Sequence, residues 1–294
     1  MTQTVLILGG SGKIGHHSAA AFRRAGWQVR FYRRGTDTAA AAIGADVIVN
    51  GLNPPNYHDW AGIIPRITRD VIAAAKVSGA TVILPGNIYN FGAVTGGMDE
   101  TTPQRSTTRK GRIRIEMEAA YRASGVRTIV LRAGNFIDPM GNGDLMSLML
   151  RRVGSGRVMC FGRPEARNAW AYVPDWARAA VMLAERRESL PNFANIPLPG
   201  HAFSAEDLRD HLAAHLGRPL RLTRFPWWAM TLTAPVWELA REMKEMRYLY
   251  DMDHWIGGDR LAGILPDFVP TAQEVVMRAG LTTAQATGRA EVTA

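Results

Sequence analysis

The chain has 294 residues, of which 47% are hydrophobic and 21% charged, and its formal net charge is +9. This length is sufficient to bury a core, and the composition is that of an ordinary globular protein. The single cysteine, Cys160, excludes an internal disulfide framework and favours a reducing compartment. The N-terminus lacks the features of a signal peptide, and the longest apolar run is too short to span a bilayer. We therefore expect a cytoplasmic protein with no membrane partner.

The first half of the chain alternates between apolar, β-branched runs and segments with helical spacing. The predicted strands are residues 4–10, 28–34, 45–51, 80–86 and 126–134, and the predicted helices include 16–26, 65–79 and 110–125. Such alternation predicts an α/β protein with a parallel sheet covered on both faces. The right-handed crossover rule then favours a doubly wound Rossmann fold.

After residue 134 the alternation becomes less regular, and GNFIDPMGNGDL (134–145) is expected to form a loop. Residues 173–187 and 204–217 have helical spacing, and Ser204 and Asp207 form a near capping box at the start of the second helix. Residues 193–200 are predicted to form a strand and a turn, and residues 237–250 a further helix. The last ten residues, 285–294, are small and polar and are expected to be a flexible tail.

The positive charge raises the question of nucleic acid. Arginines are concentrated in residues 105–114 and 151–167, but aromatic residues do not alternate with them as in a single-strand binder. The chain has no helix-turn-helix or zinc-finger pattern, so no nucleic-acid partner is expected. His211 and His215 lie four apart on one predicted helix. No glutamate follows them in the hydrolytic pattern and no cysteine is near, so no metal site is expected.

A glycine-rich turn follows the first predicted strand. In LGGSGKIG, Gly9, Gly12 and Gly15 are spaced three apart and open a helix. Gly9 permits the tight turn, Gly12 lets the backbone approach a pyrophosphate, and Gly15 allows close packing of helix against strand. The free N–H groups of the helix N-terminus are suited to phosphate. This motif predicts a dinucleotide site.

The end of the second strand indicates which dinucleotide is bound. A protein that selects NAD has an acidic residue there for the ribose 2′-hydroxyl, but this chain has Arg33 and Arg34. Lys13 adds a further positive charge inside the glycine turn. Because a 2′-phosphate matches the fork of a guanidinium, we expect NADP(H) to be favoured over NAD(H).

The chain resembles the short-chain dehydrogenase/reductase superfamily, in particular its extended and atypical branches, which include nucleotide-sugar epimerases and NmrA-like proteins. The segments that carry the resemblance are GGSGKIG (9–15), YRR (32–34), ILPGNIYNFG (83–92), VLRAGNF (130–136) and AYVPDWARA (171–179). The resemblance implies a dinucleotide-binding domain over residues 1–190, with excursions into the substrate domain after residue 135. A smaller C-terminal α/β substrate-binding domain would occupy residues 191–284. A homodimer is compatible with the resemblance, and the sequence neither favours nor opposes one.

The resemblance also implies site residues along the carboxyl edge of the sheet. Those that would contact the cofactor are Gly9, Ser11, Gly12, Ile14, Gly15, Arg33, Asn50, Gly51, Leu52, Pro85, Gly134, Asn135 and Phe136. Arg151 and Arg152 lie where the extended branch binds substrate, so an anionic group on the substrate is expected there.

The chain departs from the family where the proton donor is expected. Members carry a serine pair after the fourth strand, but this chain has Pro85, Gly86 and Asn87. Members also carry Tyr-x-x-x-Lys on the next helix. The corresponding pair here is Thr108 and Arg112 in one register, or Lys110 and Arg114 in the other, so neither register supplies the tyrosine.

Other residues must therefore move the proton. Tyr89, just past the fourth strand, is the first candidate, and Asn87 is a candidate hydrogen-bond donor to a substrate carbonyl. Tyr57 and His58 lie on the loop after the third strand and face the same cleft, so Tyr57 is expected to contact substrate. Lys110, Arg112 or Arg114 would supply positive charge to the nicotinamide ribose.

Two functions remain open at this point. The first is an NADP(H)-dependent oxidoreductase or epimerase/dehydratase that acts on a small hydroxy or carbonyl substrate. The second is a non-catalytic NADP(H) sensor or scaffold of the NmrA-like type, because those proteins also lack the tyrosine–lysine pair. The retention of a full substrate domain favours the enzyme.

Overall fold

A computed structural model describes residues 2–141 and 143–281 of the chain. Its strands are β1 (Thr4–Leu8), β2 (Gln28–Phe31), β3 (Val47–Asn50), β4 (Thr81–Gly86), β5 (Gly96–Met98), β6 (Thr128–Arg132), β7 (Asn135–Ile137), β8 (Arg157–Cys160), β9 (Asn168–Tyr172), β10 (Phe193–Pro197), β11 (His201–Phe203), β12 (Arg221–Arg224) and β13 (His254–Ile256). Its α-helices are α1 (Lys13–Arg24), α2 (Thr38–Ala42), α3 (Trp60–Ser78), α4 (Arg109–Ala123), α5 (Leu145–Leu150), α6 (Val173–Glu185), α7 (Ala205–Leu216), α8 (Trp227–Thr233), α9 (Glu238–Glu245), α10 (Arg260–Ile264) and α11 (Gln273–Arg278).

The large sheet is parallel, in the order β10-β6-β4-β3-β1-β2. The inner strands β1, β3, β4 and β6 are largely apolar because both faces are covered, whereas the edge strand β2 (QVRF) is partly exposed. Along β1, Val5 and Ile7 pack into the cluster under α1 and α6, whereas Leu6 and Leu8 pack into the cluster under α3 and α4. Successive side chains on a strand point to opposite faces, so one continuous apolar run fills two cores. The predicted doubly wound Rossmann fold is confirmed.

Several predicted elements end within a few residues of the observed ones. The helix predicted at 173–187 is α6, and the helix predicted at 204–217 is α7, which begins with a complete capping box between Ser204 and Asp207. The expected loop at 134–145 contains the short strand β7. The helix predicted at 237–250 ends earlier, because α9 stops at Glu245 and a separate 3-10 turn covers Arg247–Tyr250.

The large sheet extends past residue 190, which was the expected limit of the first domain. Strand β10 pairs in parallel with β6, and Asn195 on β10 accepts a hydrogen bond from Arg132 Nε at 3.1 Å. Smaller sheets, β11-β9-β7, β12-β8 and β13-β5, lie beside it. The pair β13-β5 joins residues 254–256 to residues 96–98, so the C-terminal part of the chain returns to the first half. The expected tail, 285–294, lies outside the described residues.

Candidate active site

The glycine turn between β1 and α1 has the geometry that close approach requires. Gly9 has a φ of +76°, which an L side chain rarely adopts. A Cβ on Gly15 would lie 2.2 Å from Gly9 O, so only glycine allows the helix to pack this closely against the turn. A Cβ on Gly12 would meet only Gly9 O, at 3.4 Å, and would otherwise project into open space. The backbone at Gly12 is therefore accessible to a ligand.

The N-terminus of α1 has no side-chain cap. Gly12 occupies the N-cap position, and the first turn contains no acidic residue. The first N–H groups of the helix are thus available to an anion, and the helix dipole favours one. Ser11 is exposed beside them, and Lys13 and Ile14 begin the helix, with Ile14 buried in the core. These features fit the pyrophosphate of a dinucleotide.

Arg33 and Arg34 follow the end of β2, and both side chains are exposed. Within the described residues, neither guanidinium forms a hydrogen bond or an ion pair, and the hydrogen bonds at Arg33 involve its carbonyl oxygen. The two positive charges are therefore available to a ligand at this corner of the sheet.

The loop after β3 packs directly against the glycine turn. A Cβ on Gly51 would lie 3.0 Å from Leu8 O, so Gly51 is also held at a close approach. Asn50 is buried; its Nδ2 donates to the Tyr121 hydroxyl at 3.3 Å, and its Oδ1 accepts from Leu52 N at 3.2 Å. Asn50 thus stabilises the conformation of the loop, and Gly51 packs against the glycine turn.

Tyr89 and Tyr57 come together beside the end of β4. Their hydroxyl oxygens are 3.2 Å apart, and both rings contact Trp60. Burial raises the pKa of Tyr57 and raises that of Tyr89 well above its ordinary value. Both phenols therefore keep their protons at neutral pH.

Asn87 has a structural part in this arrangement. Its Oδ1 accepts from Tyr89 N at 3.0 Å, and its carbonyl oxygen accepts from Arg132 Nη1 at 2.5 Å. These bonds fix the turn that presents Tyr89. Two residues earlier, the Pro85 carbonyl accepts a hydrogen bond from Arg114 on α4.

Helix α4 presents Lys110 and Arg114 on one face, four residues apart, as expected for the register that aligns them with the family's tyrosine and lysine. Lys110 is fully buried, and Arg114 is 7% exposed. Burial lowers the pKa of Arg114. Arg112 lies on the solvent side, where its Nη1 donates to Thr107 O at 2.7 Å. The two candidate positive charges next to the sheet are thus Lys110 and Arg114, and Arg112 points away from them.

Helix α9 closes over the N-terminus of α4 with two carboxylates. Lys110 Nζ lies 2.6 Å from Glu245 Oε2 and donates to Glu242 O at 3.0 Å. The Glu242 carboxylate, which is 2% exposed, pairs with both Lys110 and Arg109. Lys110 Nζ also lies 5.1 Å from the centre of the Tyr57 ring. The cation next to the tyrosine pair is therefore held by a segment more than 130 residues away.

A second buried polar network connects α4 to the end of β6. Arg132 at the end of β6 donates from Nη2 to Glu118 Oε2 at 2.7 Å, and Gln104 Nε2 donates to the same oxygen at 2.9 Å. Arg132 also lies over the Phe91 ring, with its guanidinium carbon 5.0 Å from the ring centre. This network connects β6, α4 and the turn that carries Tyr89, so it fixes their relative positions.

The remaining predicted residues fall at two separate places. A Cβ on Gly134 would lie 2.4 Å from Ala169 O, and Asn135 Nδ2 donates to the same oxygen at 3.3 Å. Phe136 packs edge-on against Trp176 at 6.4 Å. These residues form the start of β7, next to the end of β6. Arg151 and Arg152 are exposed at the carboxyl end of α5, outside the cluster around Lys110.

Glu242 and Glu245 are the site residues that the sequence did not reveal. They lie on a helix of strong amphipathic pattern, but no spacing connects that helix to residue 110. No group of three or more histidine, cysteine, aspartate or glutamate residues with metal-binding geometry exists within residues 2–141 and 143–281.

These features define the class of the protein as a doubly wound Rossmann fold with a glycine-rich turn after its first strand. Solved structures share this fold along nearly the whole chain. UDP-glucuronic acid 4-epimerase from Bacillus cereus, solved in complex with UDP-glucuronic acid and NAD, is 14% identical with a TM-score of 0.77, covering 97% of this chain and 100% of that one. L-threonine dehydrogenase from Phytophthora infestans is 16% identical, with a TM-score of 0.74 and coverage of 97% and 100%. A UDP-galactose 4-epimerase is 18% identical, with a TM-score of 0.67 and coverage of 98% and 99%.

The sequence itself matches a family in its middle part. Residues 66–196 match the model of the NAD dependent epimerase/dehydratase family. This segment runs from α3 through β10 and includes Tyr89, Lys110 and Arg114. The resemblance expected from the sequence motifs is thereby confirmed. No curated protein matches the chain.

Proposed function

We propose that the protein is an NADP(H)-dependent oxidoreductase or epimerase/dehydratase that acts on a small hydroxy or carbonyl substrate. The glycine turn and the uncapped N-terminus of α1 would hold the pyrophosphate, and Arg33 with Arg34 would hold the 2′-phosphate. When bound, the nicotinamide would supply or accept a hydride. The protein must then bind the substrate oxygen and move its proton.

The pair of tyrosine hydroxyls is the observation that carries this proposal. Two phenols hold two protons, but the hydrogen bond between Tyr57 and Tyr89 uses only one of them. Within the described residues neither hydroxyl has another partner, so the second proton is available to a substrate oxygen. Both phenols are protonated at neutral pH, as a donor to a forming alkoxide must be, although burial makes each a weaker acid than an exposed tyrosine. In this proposal Tyr89 takes the place of the missing family tyrosine.

Positive charge next to this pair would stabilise an oxyanion. Lys110 lies beneath the Tyr57 ring, and the Arg114 charge lowers the pKa of Tyr89 against the larger effect of burial. Arg114 occupies the position of the family lysine and is hydrogen-bonded to Pro85 O at the edge of the sheet. We therefore assign Arg114, with Lys110 behind it, to the electrostatic role that the family gives to lysine. Arg151 and Arg152, exposed on α5, remain candidates for an anionic substrate group.

The enzyme proposal is tested by NADPH oxidation against a panel of aldehydes and ketones. Replacement of Tyr89 by Phe removes the donor and should lower kcat by about 10²-fold, the lower end of general acid catalysis. The melting temperature should change little, because the ring contacts with Trp60 remain. Tyr172→Phe, at another half-buried tyrosine, is the matched control and should leave kcat unchanged. A lower melting temperature with an unchanged kcat in Tyr89→Phe would show that Tyr89 is a packing residue.

A specific observation also favours a second function, a non-catalytic NADP(H) sensor. Helix α9 covers the N-terminus of α4, and Lys110 already has carboxylate partners, so this cation is not free to bind a substrate. A sensor would bind one redox form of the cofactor more tightly than the other and oxidise NADPH with no member of the carbonyl panel. An enzyme would turn over at least one carbonyl.

A further inference from the structure

Four large apolar side chains are exposed on the segment that follows β12. Trp228 is 71% exposed, Leu232 72%, Val236 90% and Trp237 45%. The first two lie four residues apart on α8 and share one side of it, and none of the residues of α8 is buried. We call these four residues the α8 stripe. Four exposed large apolar side chains within ten consecutive residues indicate an interaction surface.

The charge of the segment that carries the α8 stripe, residues 218–247, is mainly positive. Residues 218–247 contain six lysines and arginines and three glutamates. All three glutamates are paired with the first half of the chain: Glu238 lies 2.7 Å from His58 Nδ1, and Glu242 and Glu245 bind Lys110. The exposed charges that remain are all positive, and they are Arg218, Arg221, Arg224, Arg241, Lys244 and Arg247.

A groove of about 970 Å³ opens beside the α8 stripe. Trp228 and Leu232 belong to its lining, and its charged residues are Arg163, Glu165, Arg224, Arg247 and Asp251. Glu165 is paired with Arg163 at 3.7 Å. Arg247 has a carboxylate partner in Asp251, at 3.8 Å. The guanidinium of Arg224 forms no hydrogen bond or ion pair within residues 2–141 and 143–281. The groove thus places an available positive charge next to exposed tryptophan and leucine.

We propose that the α8 stripe and this groove form a docking surface for an anionic phospholipid bilayer. The stripe would enter the boundary between head groups and acyl chains, where tryptophan is favoured, and Arg224 would contact a lipid phosphate. None of the helices in the described part of the chain combines the length and the apolar character needed to cross a membrane. The inferred contact is therefore peripheral, and it does not depend on the proposed catalytic function.

The charge pattern distinguishes this occupant from two others. Two copies of the chain joined through this face would bring positive surfaces together, and like charges oppose such a contact. Nucleic acid would satisfy the arginines but would leave Leu232 and Val236 exposed to water, since it binds such surfaces through stacking on aromatic rings and through phosphate contacts. An anionic bilayer presents phosphate groups directly beside apolar acyl chains, so it matches the arginines and the α8 stripe together.

The test is co-sedimentation of the full chain with vesicles of phosphatidylcholine alone and of phosphatidylcholine mixed with phosphatidylglycerol. We expect binding to the mixed vesicles only, weakened by salt. Leu232→Ser should reduce the affinity roughly tenfold, because it removes one aliphatic side chain from the buried contact. Val269→Ser, at a valine that is 71% exposed elsewhere in the chain, is the matched control and should bind like the wild type.

A charge reversal tests the role of Arg224 in the docking surface. Arg224→Glu should weaken binding to the mixed vesicles, whereas Arg66→Glu on the exposed side of α3 should have little effect. Equal binding to both kinds of vesicle, or to neither, would overturn the proposal. Sedimentation velocity without lipid gives a further decision: a dimer that Leu232→Ser dissociates would show that the stripe is an interface between copies of the chain.

Discussion

The two ends of the candidate cleft are built in different ways. At the β1–α1 end, Gly9, Gly12 and Gly15 shape a site from backbone atoms within a short stretch of sequence. At the α4 end, Lys110 is held by Glu242 and Glu245, which come from a helix more than 130 residues away. The first end is shaped by backbone atoms that are close in sequence, and the second by charged side chains that are far apart in sequence. The difference shows that the β1–α1 end depends on local backbone geometry, whereas the α4 end depends on long-range ion pairs.

The largest expected effect is on the stability of the α4 end. Lys110→Met removes the cation from two carboxylates, one of which is almost completely buried, so we expect a loss of about 3 kcal/mol in the free energy of unfolding. Urea denaturation measures this value. Arg112→Met, on the exposed side of the same helix, should change it by less than about 0.5 kcal/mol. Equal effects of the two substitutions would mean that the α4–α9 ion pairs contribute little.

A pair of glycine substitutions sharpens the comparison at the other end. Gly15→Ala places a Cβ 2.2 Å from Gly9 O, so it should lower stability by about 2 kcal/mol through overpacking. Gly12→Ala meets only an ordinary contact and should leave the melting temperature nearly unchanged. If the backbone at Gly12 approaches a pyrophosphate, the same substitution should still weaken NADPH binding. Unchanged binding in folded Gly12→Ala would place the cofactor elsewhere.

The smallest expected effect concerns acid. Burial alone raises the pKa of Glu245, but the hydrogen bonds and charge of Lys110 outweigh it, so its pKa lies below the ordinary 4.5. A carboxyl with a lowered pKa adds stability above its unfolded pKa, and this contribution is lost as the pH falls through the folded value. Glu245→Gln should therefore be less stable than the wild type at neutral pH, by up to about 1 kcal/mol. The difference should shrink below about pH 4.5; a constant difference down to pH 3 would contradict the assignment.

The sequence predicted the strand, turn and helix at the β1–α1 end well, because the signals for these elements are local. A strand, a glycine turn and a helix follow one another between Thr4 and Arg24, and each restricts the next. The capping box at Ser204 is another local signal, and it is present as expected. Strand β10 was predicted as a strand, but its place next to β6 depends on pairing between residues 60 or more apart.

The α4 end was not predictable, because its contacts join residues that are far apart in the sequence. The sequence showed that the family's tyrosine is absent and that Lys110 and Arg114 are one alternative register. It did not show that α9 would supply carboxylates to Lys110, because side-chain pairing across such a separation leaves no pattern in either segment. The contact between the hydroxyls of Tyr57 and Tyr89 was also not visible in the sequence. Both residues were candidates, but their 3.2 Å contact depends on how two loops pack over Trp60.

The most direct test of the central claim is calorimetric titration of the wild type and Arg33→Ala with NADPH, NADP⁺, NADH and NAD⁺ in one buffer. We expect the phosphorylated pair to bind more tightly to the wild type. Arg33→Ala should lose roughly tenfold in affinity for that pair alone, as for a lost charge-assisted hydrogen bond. Arg69→Ala, at an exposed arginine on α3, should behave like the wild type. Absence of binding by all four dinucleotides would contradict the account, because the glycine turn would then be a structural feature only.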